Sequence, residues 1–564
     1  MTATPVFLAR AGLGNAASGP LLGRLLLGVA LAVALTGLAA MSRPTDWYRR
    51  LTDRLLYGVP WGTLVLMAVL LAVYGGLQDG FGAADPIVLP FRAWSYLDPV
   101  GMVVAGLAHS NTSHLIGNLL GTLLFGSVAE ALWGHHTNRR TTTRLHAAWT
   151  HPVIRALIIF PAAGLLLSIL GALVALGPII GFSMVVFAFA GFTLVQAPVL
   201  TILASVSQGV LRRLLDAIQT PQQIAASGTT YSTPWFASIA IQGHAVGLLV
   251  GVLLGLGYQR VTRRQRPSAG VLWAAVLLFA VERSLWAVYW YRGNNSYVLY
   301  RAVGLGLVFV LATVVTYAVV ADDTPLFPAV AVDNPTTFVT DLTTISSRQV
   351  GLLLVVTASA ILIAPAVATN ATTAADGDLP GEPIEVRGYE LTYGENVTNG
   401  QLNVIDIEGA GESTRLNTSG VIVRNTDRHI WSTAVSKSEL ANRGAADIRL
   451  GGLTWEETVT ASRTGWQAVG GGTTYRVTLT HDNHTRSLYH SEAVDAEPVV
   501  AGQRVSLNAT DTGFTVGVND SVAALPSKNE STTLGRLTLR RQDNRLVAVN
   551  NRTQTAVRVA DKVN

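Results

Sequence analysis

Long apolar runs alternate with short polar stretches through the first 369 residues of the chain. An α-helix rises about 1.5 Å per residue, so roughly 20 apolar residues cross the ~30 Å hydrocarbon core of a bilayer. The runs predict ten membrane-spanning helices, of which the fifth and sixth are short and closely joined: 21–41, 59–77, 109–133, 153–177, 182–196, 197–215, 241–258, 269–290, 299–320 and 350–369.

The pattern changes near Asn370. Beyond it, short segments alternate apolar and polar residues with the period of two that is typical of half-buried strands, and Gly, Asn, Asp and Thr separate them. Their even spacing favours a β-sandwich. The predicted strands are Gln401–Ile407, Gly420–Arg424, Thr474–Thr480, Gly513–Val518, Arg536–Arg540 and Thr555–Val559.

Composition narrows the class of protein. Charged residues make up 13% of the chain and the mean hydropathy is +0.38, whereas an average soluble domain has about 25% charged residues. For most of the chain this excludes a disordered protein, a nucleic-acid-binding module and an ordinary cytosolic enzyme. The absence of cysteine excludes disulfides, thiolate nucleophiles and cysteine-ligated metals.

The net charge of +5 is unevenly distributed. Residues 376–562 contain 23 acidic and 19 basic residues, and the remainder contains 12 acidic and 21 basic residues, every one of the latter an arginine. The basic pI of about 9.4 therefore belongs to the apolar part. We interpret it as a signal of membrane topology and expect the lipid bilayer, not nucleic acid, as the partner.

Arginines in short loops indicate the cytoplasmic side. Arg212 and Arg213 do not fit this rule, because they lie near the predicted outer end of 197–215. Span 21–41 has an alternative interpretation as a cleaved signal peptide, but cleavage would place the first arginine cluster outside, so an uncleaved anchor is favoured. With ten crossings, three arginine clusters fall on the cytoplasmic side, and the C-terminal domain lies outside. The clusters are Arg43, Arg49, Arg50 and Arg54; Arg139, Arg140 and Arg144; and Arg260, Arg263, Arg264 and Arg266.

Eight Asn-x-Ser/Thr sequons lie in the C-terminal part. They lend modest support to an external, glycosylated surface, since several would arise by chance in a Thr-rich segment. The asparagines are Asn370, Asn396, Asn417, Asn483, Asn508, Asn519, Asn529 and Asn551.

Polar residues stand out at the starts of three predicted spans, where a bilayer makes them costly. In His109-Ser-Asn-Thr-Ser-His114-Leu-Ile-Gly-Asn118, the spacing of four places His114 and Asn118 on one helical face. The spacing of five leaves His109 pointing elsewhere or lying in the preceding loop. All three groups are predicted at a similar depth near the outer side.

The second and third groups supply a hydroxyl and an imidazole. Gly181-Phe-Ser183 opens the short fifth span, and His244, Gly247 and Gly251 share one face of the seventh. A serine becomes a nucleophile when an adjacent base removes its proton, and the oxyanion then formed needs hydrogen-bond donors. Glycines on the facing helix allow the close approach that a Ser–His contact needs.

Each group also has a structural interpretation. Ser183 alone is most simply a helix N-cap, an intramembrane histidine is often a structural hydrogen-bonding group, and spaced glycines commonly form a packing seam. The conjunction of the three at one depth favours a catalytic site. The hydrolase elbow Gly-x-Ser-x-Gly is absent, since position 185 is valine.

These residues resemble the rhomboid family of intramembrane serine proteases. His109-x4-His114-x3-Asn118, with Glu130 twelve residues later, is similar to the second core helix of that family. Gly181-x-Ser183 and His244-x2-Gly247-x3-Gly251 are similar to its fourth and sixth helices. Order, spacing and predicted topology agree over residues 59–258.

The resemblance implies a six-helix core with a water-filled cavity open to the outside. Together with the apolar runs and the alternating segments, it predicts an all-α polytopic protein of the cell membrane, with about four extra transmembrane helices and a C-terminal extracytoplasmic β-sandwich-like domain. The predicted domains are 1–58 (anchor and basic loop), 59–258 (catalytic core), 259–369 (three further helices) and 370–564 (external domain).

The resemblance also assigns roles. Ser183 would be the nucleophile and His244 the base of a dyad, with oxyanion donors at His114, Asn118 and the Ser183 N–H. His109 would support the cavity, as Gly181, Gly247 and Gly251 support the packing. Substrates would be single-pass membrane proteins, cut near the outer end of their helix without metal or cofactor.

The chain departs from the family in two places. Met184 follows the nucleophile where the family has Gly, which puts the shape of the oxyanion site in doubt. The first loop has Phe91-Arg92-Ala-Trp94 in place of a Trp-Arg pair, which puts its lipid-facing role in doubt.

Two other functions remain open. The first is an inactive rhomboid-like receptor or assembly factor that binds transmembrane helices, with its external domain on a cell-surface partner. The second is a transporter, suggested by Glu282 and Arg283 within a predicted span. A metal site at His481 and His484 is a weak alternative to ordinary turn residues.

Overall fold

The computed structural model describes residues 18–41, 53–83, 85–134, 151–222, 232–294, 296–324, 345–371, 378–401, 408–409, 412–413 and 416–564. Two predicted features lie largely or wholly outside these residues. One is the strand Gln401–Ile407, of which only Gln401 is described. The other is the set of loop arginines Arg43, Arg49, Arg50, Arg139, Arg140 and Arg144.

Helices account for the described part of the first 371 residues, apart from loops and one hairpin. They are α1 (Ser18–Met41), α2 (Trp61–Gly76), α3 (Pro99–Val104), α4 (Thr112–Trp133), α5 (Pro152–Val174), α6 (Ser183–Gln196), α7 (Pro198–Gln219), α8 (Ile241–Thr262), α9 (Ala269–Glu282), α10 (Arg301–Val320) and α11 (Ser347–Asn370).

Six of these helices, α1, α4, α5, α8, α10 and α11, are long and apolar enough to cross a membrane. Helices α2, α6 and α9 are apolar but shorter, with 14 to 16 residues. Helix α7 has 22 residues, but Arg212, Arg213 and Asp216 make its second half polar. These helices agree with the predicted helical membrane part, and the count of ten spans stays a prediction.

The predicted span 269–290 is wrong at its end. Helix α9 stops at Glu282, and the chain then turns into an antiparallel hairpin of β1 (Tyr289–Gly293) and β2 (Ser296–Leu299). At this end of α9, the side chains of Glu282 and Arg283 both bind Ser205 on α7. The span was predicted too long because aromatic residues of the hairpin continue the apolar run in the sequence.

Contacts between helix ends show which ends share a face of the bundle. The Tyr258 hydroxyl, near the end of α8, donates to the carbonyls of Leu132 and Trp133 at the end of α4. At the opposite face, Asn370 at the end of α11 donates to the carbonyl of Ala175 after α5. We call these faces the Trp133 end and the Ala175 end.

Helix α6 lies at the centre of the bundle, with 11 of its 14 residues buried. Its backbone contacts that of α8. A Cβ atom added at Gly247 would lie 2.3 Å from the Met184 carbonyl oxygen, and one at Gly251 would lie 2.0 Å from that of Ala188. Such distances require glycine.

Glu130 fastens α4 to the first turn of α2. Its buried carboxylate accepts hydrogen bonds from the N–H groups of Gly62 and Thr63 at 3.0 and 2.9 Å, and from the Thr63 hydroxyl at 2.8 Å. The carboxylate therefore caps free N–H groups of α2.

The part after residue 378 is rich in antiparallel strands, as predicted. They are β3 (Ile384–Val386), β4 (Tyr389–Thr398), β5 (Glu408–Gly409), β6 (Glu412–Ser413), β7 (Asn417–Asn425), β8 (Ile430–Ser436), β9 (Ala445–Gly451), β10 (Glu456–Ala468), β11 (Thr473–His481), β12 (His484–His490), β13 (Val494–Asp495), β14 (Val505–Thr510), β15 (Gly513–Val518), β16 (Ser521–Ala524), β17 (Ser531–Leu534), β18 (Leu537–Gln542), β19 (Arg545–Asn550) and β20 (Ala556–Val563), with a short helix α12 (Lys437–Arg443).

Three sheets contain most strands of this β-rich domain. One has the order β12-β11-β10-β20-β19-β18-β17 with β9 beside β10, and two four-stranded sheets have the orders β3-β4-β7-β8 and β13-β14-β15-β16. Buried side chains form two main hydrophobic clusters, around Tyr393 and around Trp466. A single two-layer sandwich is thus a prediction that this arrangement does not establish.

The β-rich domain rests on the connection between α2 and α4 at the Ala175 end; we call this connection, which includes the short helix α3, loop 77–111. Trp94, only 3% exposed, packs in the same cluster as Tyr393. The Arg428 guanidinium lies 3.0 Å from the Asp98 carboxylate and also donates to the Pro90 carbonyl at 2.7 Å. Burial raises the pKa of Asp98, while the charge and hydrogen bonds of Arg428 lower it.

The predicted sequons differ in access. Asn370 is buried at the end of α11, and its side-chain amide is used in the hydrogen bond to Ala175, so this position cannot carry a sugar in the folded chain. The other seven asparagines are exposed.

Candidate active site

Ser183 and His244 lie in contact. Ser183 is the first residue of α6 and His244 belongs to the first turn of α8, and the Ser183 Oγ is 2.9 Å from the His244 Nε2. Ser183 makes no side-chain cap of its own helix, whose N-cap position is Phe182. The contact therefore joins a hydroxyl with a nitrogen that can accept its proton.

The turn before Ser183 has a shape that only glycine tolerates. Gly181 has φ +120°, and its N–H donates to the Ala105 carbonyl at 2.8 Å. An added Cβ would lie 2.7 Å from the Nε2 of His114 and 3.4 Å from the Nδ2 of Asn118. Both side chains thus approach the backbone directly ahead of the serine.

His109 lies in the loop before α4, and its ring reaches back to Asn118. The His109 Nε2 is 3.0 Å from the Asn118 Nδ2, and the rings of His109 and His114 meet edge to face with centroids 5.2 Å apart. His114 is held from its other side, because its Nδ1 lies 3.1 Å from the Ser110 Oγ. His109 and Ser110 therefore orient the two candidate donors.

The His244 ring is positioned by stacking. Its face lies on the ring of Phe187, with centroids 4.2 Å apart and an angle of 11° between the planes. Among the described residues, none forms a hydrogen bond with the buried His244 Nδ1. Aromatic contact, not a carboxylate, thus sets the orientation of this imidazole.

Met184 fits into the helix packing. Its side chain is 8% exposed, and its Sδ would lie 2.7 Å from a Cβ added at Gly171 on α5. Gly247 makes room for its backbone from the other side. The side chain thus fills a space between α5 and α8.

Glu282 and Arg283 form a compact group with Ser205. The Ser205 hydroxyl donates to the Glu282 carboxylate, and the Arg283 Nε donates to the Ser205 Oγ at 3.0 Å. The Arg283 guanidinium also lies 5.4 Å from the centroid of the Phe125 ring. The group joins α7 to the end of α9.

The loop motif Phe91-Arg92-Ala-Trp94 faces the β-rich domain. The Arg92 Nη1 donates to the Pro178 carbonyl at 3.1 Å, and the Trp94 Nε1 donates to the Leu89 carbonyl at 2.8 Å. Because Trp94 is buried under that domain, it has no surface to offer to lipid.

One group in the described part of the chain has the spacing of metal ligands. Ligand atoms of Glu457, His481 and Asp482 lie within 4.8 Å of one another in the β-rich domain. The Arg387 guanidinium, 3.2 Å from the Glu457 carboxylate, already balances its charge. The predicted partner His484 is not in the group and donates to the Asp482 carbonyl at 2.9 Å.

The sequence interpretation missed Phe187 and Ser110. Phe187 lies four residues after Ser183, and Ser110 lies four before His114. A spacing of four within a helix places two side chains on one face, so it was a usable signal for Phe187. Ser110 precedes its helix and offered no such signal.

Comparison with models of protein families, with curated proteins and with solved structures finds no match for this chain.

Proposed function

We propose that this protein is a rhomboid-type intramembrane serine endopeptidase. The observation that carries the proposal is the 2.9 Å contact between the Ser183 Oγ and the His244 Nε2. It occurs beside His114 and Asn118, which supply hydrogen-bond donors at the same turn.

In the acylation step, the Ser183 Oγ attacks the carbonyl carbon of a substrate peptide bond, and His244 takes the hydroxyl proton. The resulting oxyanion accepts hydrogen bonds from His114, Asn118 and the Ser183 N–H. When the C–N bond breaks, His244 returns the proton to the leaving amine. Water then attacks the acyl-enzyme ester, with His244 again as base, and frees Ser183.

The substrates are single-pass membrane proteins. The dyad lies near the Ala175 end of α6 and α8, and five of the predicted cytoplasmic arginines, all described, lie toward the Trp133 end: Arg54, Arg260, Arg263, Arg264 and Arg266. This arginine bias supports a cytoplasmic Trp133 end and a β-rich domain outside the cell membrane, although Arg212 lies toward the other end, at Ser113. Cleavage occurs near the outer end of a substrate helix that unwinds readily.

Ser183→Ala and His244→Ala test this function. We expect each to abolish cleavage of a single-pass reporter whose transmembrane helix has Gly and Pro near its outer end. A fluorophosphonate serine probe should label the wild type and not Ser183→Ala. Ser207→Ala, on the exposed side of α7, is the matched control and should cleave normally.

Cleavage that persists in Ser183→Ala would refute the peptidase. A wild type that binds reporter helices, yet neither cleaves them nor reacts with the probe, would support the receptor alternative. The transporter is less favoured, because Ser205 satisfies Glu282 and Arg283 locally.

A further inference from the structure

A cavity of about 530 Å³ lies between loop 77–111 and the β-rich domain. This volume falls in the range of pockets that hold a ligand. Its lining includes Arg92 and Ser110 from the loop, Pro178 from the turn before α6, Tyr291 from the β1–β2 hairpin, Ser432 from β8 and Arg449 from β9.

The wall from the β-rich domain is the edge of a sheet. Strand β8 is the last strand in the order β3-β4-β7-β8, and its central residues Ser432, Thr433 and Ala434 line the cavity. Within the described residues, no strand pairs with the other side of β8. An edge strand carries backbone N–H and C=O groups that can pair with an added extended chain.

The cavity adjoins the candidate active site. Ser110 lines it, and the Ser110 Oγ is 3.1 Å from the Nδ1 of His114. Pro178, also in the lining, lies five residues before Ser183. The cavity is therefore next to the candidate site on the side of the β-rich domain.

Two arginines, Arg92 and Arg449, and two carboxylates, Asp85 and Asp447, line the cavity, and the two arginines differ in their partners. Arg449 pairs with Asp79 and Glu456 at 3.0 and 2.6 Å. Arg92, in contrast, has no ion pair among the described residues, and its guanidinium donates to the carbonyl of Pro178. Its remaining donors suit a carboxylate.

We infer that this cavity binds the outer juxtamembrane segment of the substrate. The segment lies extended, pairs through its backbone with the free edge of β8 and places an acidic side chain at Arg92. The inference rests on the proposed peptidase function and gives the β-rich domain a role in substrate selection.

Two reporters with one transmembrane helix test the inference on the full-length protein in vesicles. The long reporter carries an acidic outer segment that can pair with β8, about six residues, and the short reporter ends before it. We expect the wild type to cleave the long reporter about tenfold faster at low concentration, because only that reporter gains docking energy.

Ser432→Trp fills the cavity, and we expect it to bring the ratio of the two rates to about one. Ser527→Trp, on an exposed turn of the same domain, should keep the wild-type ratio. Replacing the acidic residues of the long reporter by their amides should lower the ratio several-fold. A fold defect would slow both reporters alike and would not by itself change the ratio.

Crosslinking provides a second measurement. A benzophenone amino acid at position 434 in the Ser183→Ala protein should crosslink to the outer segment of the long reporter. Crosslinks to lipid alone, or equal wild-type rates for the two reporters, would overturn the inference while leaving the peptidase intact. Loss of probe labelling and of all cleavage in the wild type would instead refute the peptidase, and the inference with it.

Discussion

Two contact regions of this molecule are built in opposite ways. Between α6 and α8, Gly247 and Gly251 lie directly against backbone carbonyls of the facing helix. Between loop 77–111 and the β-rich domain, long side chains such as Arg428 and Arg449 span the gap. A side-chain atom added at the glycines should therefore separate the two helices altogether. Removal of one charged side chain from the polar contact should only lower the stability of the protein, by an amount that depends on the residue.

The largest effect is expected for Gly251→Val. An added Cβ would lie 2.0 Å from the Ala188 carbonyl oxygen, so α6 and α8 must separate and the Ser183–His244 contact must break. We expect loss of serine-probe labelling in membranes. Gly257→Val on the same helix, where an added Cβ has nothing within 4 Å, is the matched control and should be labelled. Equal labelling of both variants would contradict the backbone contact.

A smaller effect is expected for Arg428→Ala at the polar contact. It leaves the buried Asp98 carboxylate without its cation, which costs on the order of 3 kcal/mol for a pair buried on one side. The measurement is the midpoint of thermal unfolding in detergent. Because burial raises the pKa of Asp98, adding Asp98→Asn should restore part of the loss. No recovery in the double variant would show that the charge is not the cause.

The smallest effect is expected for Arg449→Ala. Its partners Asp79 and Glu456 are about half exposed, at 43% and 53% for their side chains, so water replaces the lost ion pairs at a cost of about 1 kcal/mol or less. Arg486→Ala, which removes an exposed pair with Glu382 away from the loop, is the control for charge alone. If Arg449→Ala lowered the midpoint of thermal unfolding as much as Arg428→Ala, the two side chains would contribute equally to the polar contact, and this prediction would be contradicted.

The membrane helices could be predicted because their signal is local. An apolar run of sufficient length determines a helix regardless of distant residues. The prediction failed after Glu282, where the partner Ser205 lies 77 residues away, and where Trp290 and its neighbours read as apolar although they form a hairpin.

For the candidate site, the sequence predicted which residues share one face of a helix. Spacing placed His114 with Asn118, and His244 with Gly247, but it could not bring two helices together. The meeting of Ser183 and His244 depends on close contact at the glycines, which is a property of both helices. The stacking of Phe187 on His244 depends on that same contact.

The β-rich domain was predictable only in class. Strand β10 combines Glu, Thr and Ser with few apolar residues, so its alternation is weak, and the sequence interpretation missed it. The contact of Asp98 with Arg428 joins residues 330 positions apart. No local sequence pattern indicates a contact between residues so far apart. The packing of the β-rich domain on loop 77–111 could therefore not be predicted from the sequence.

The fixed end of α11 has a consequence for the distance between Ser183 and the β-rich domain. The Asn370 carbonyl accepts from the Tyr96 N–H at 2.8 Å, and the Asn370 side chain holds Ala175, so the last membrane helix is pinned just before the β-rich domain begins. With Arg428 on Asp98 as a second anchor, β8 stands at a set distance from Ser183. If the proposed peptidase binds its substrate at β8, this fixed distance predicts cleavage at a constant number of residues from the bound segment.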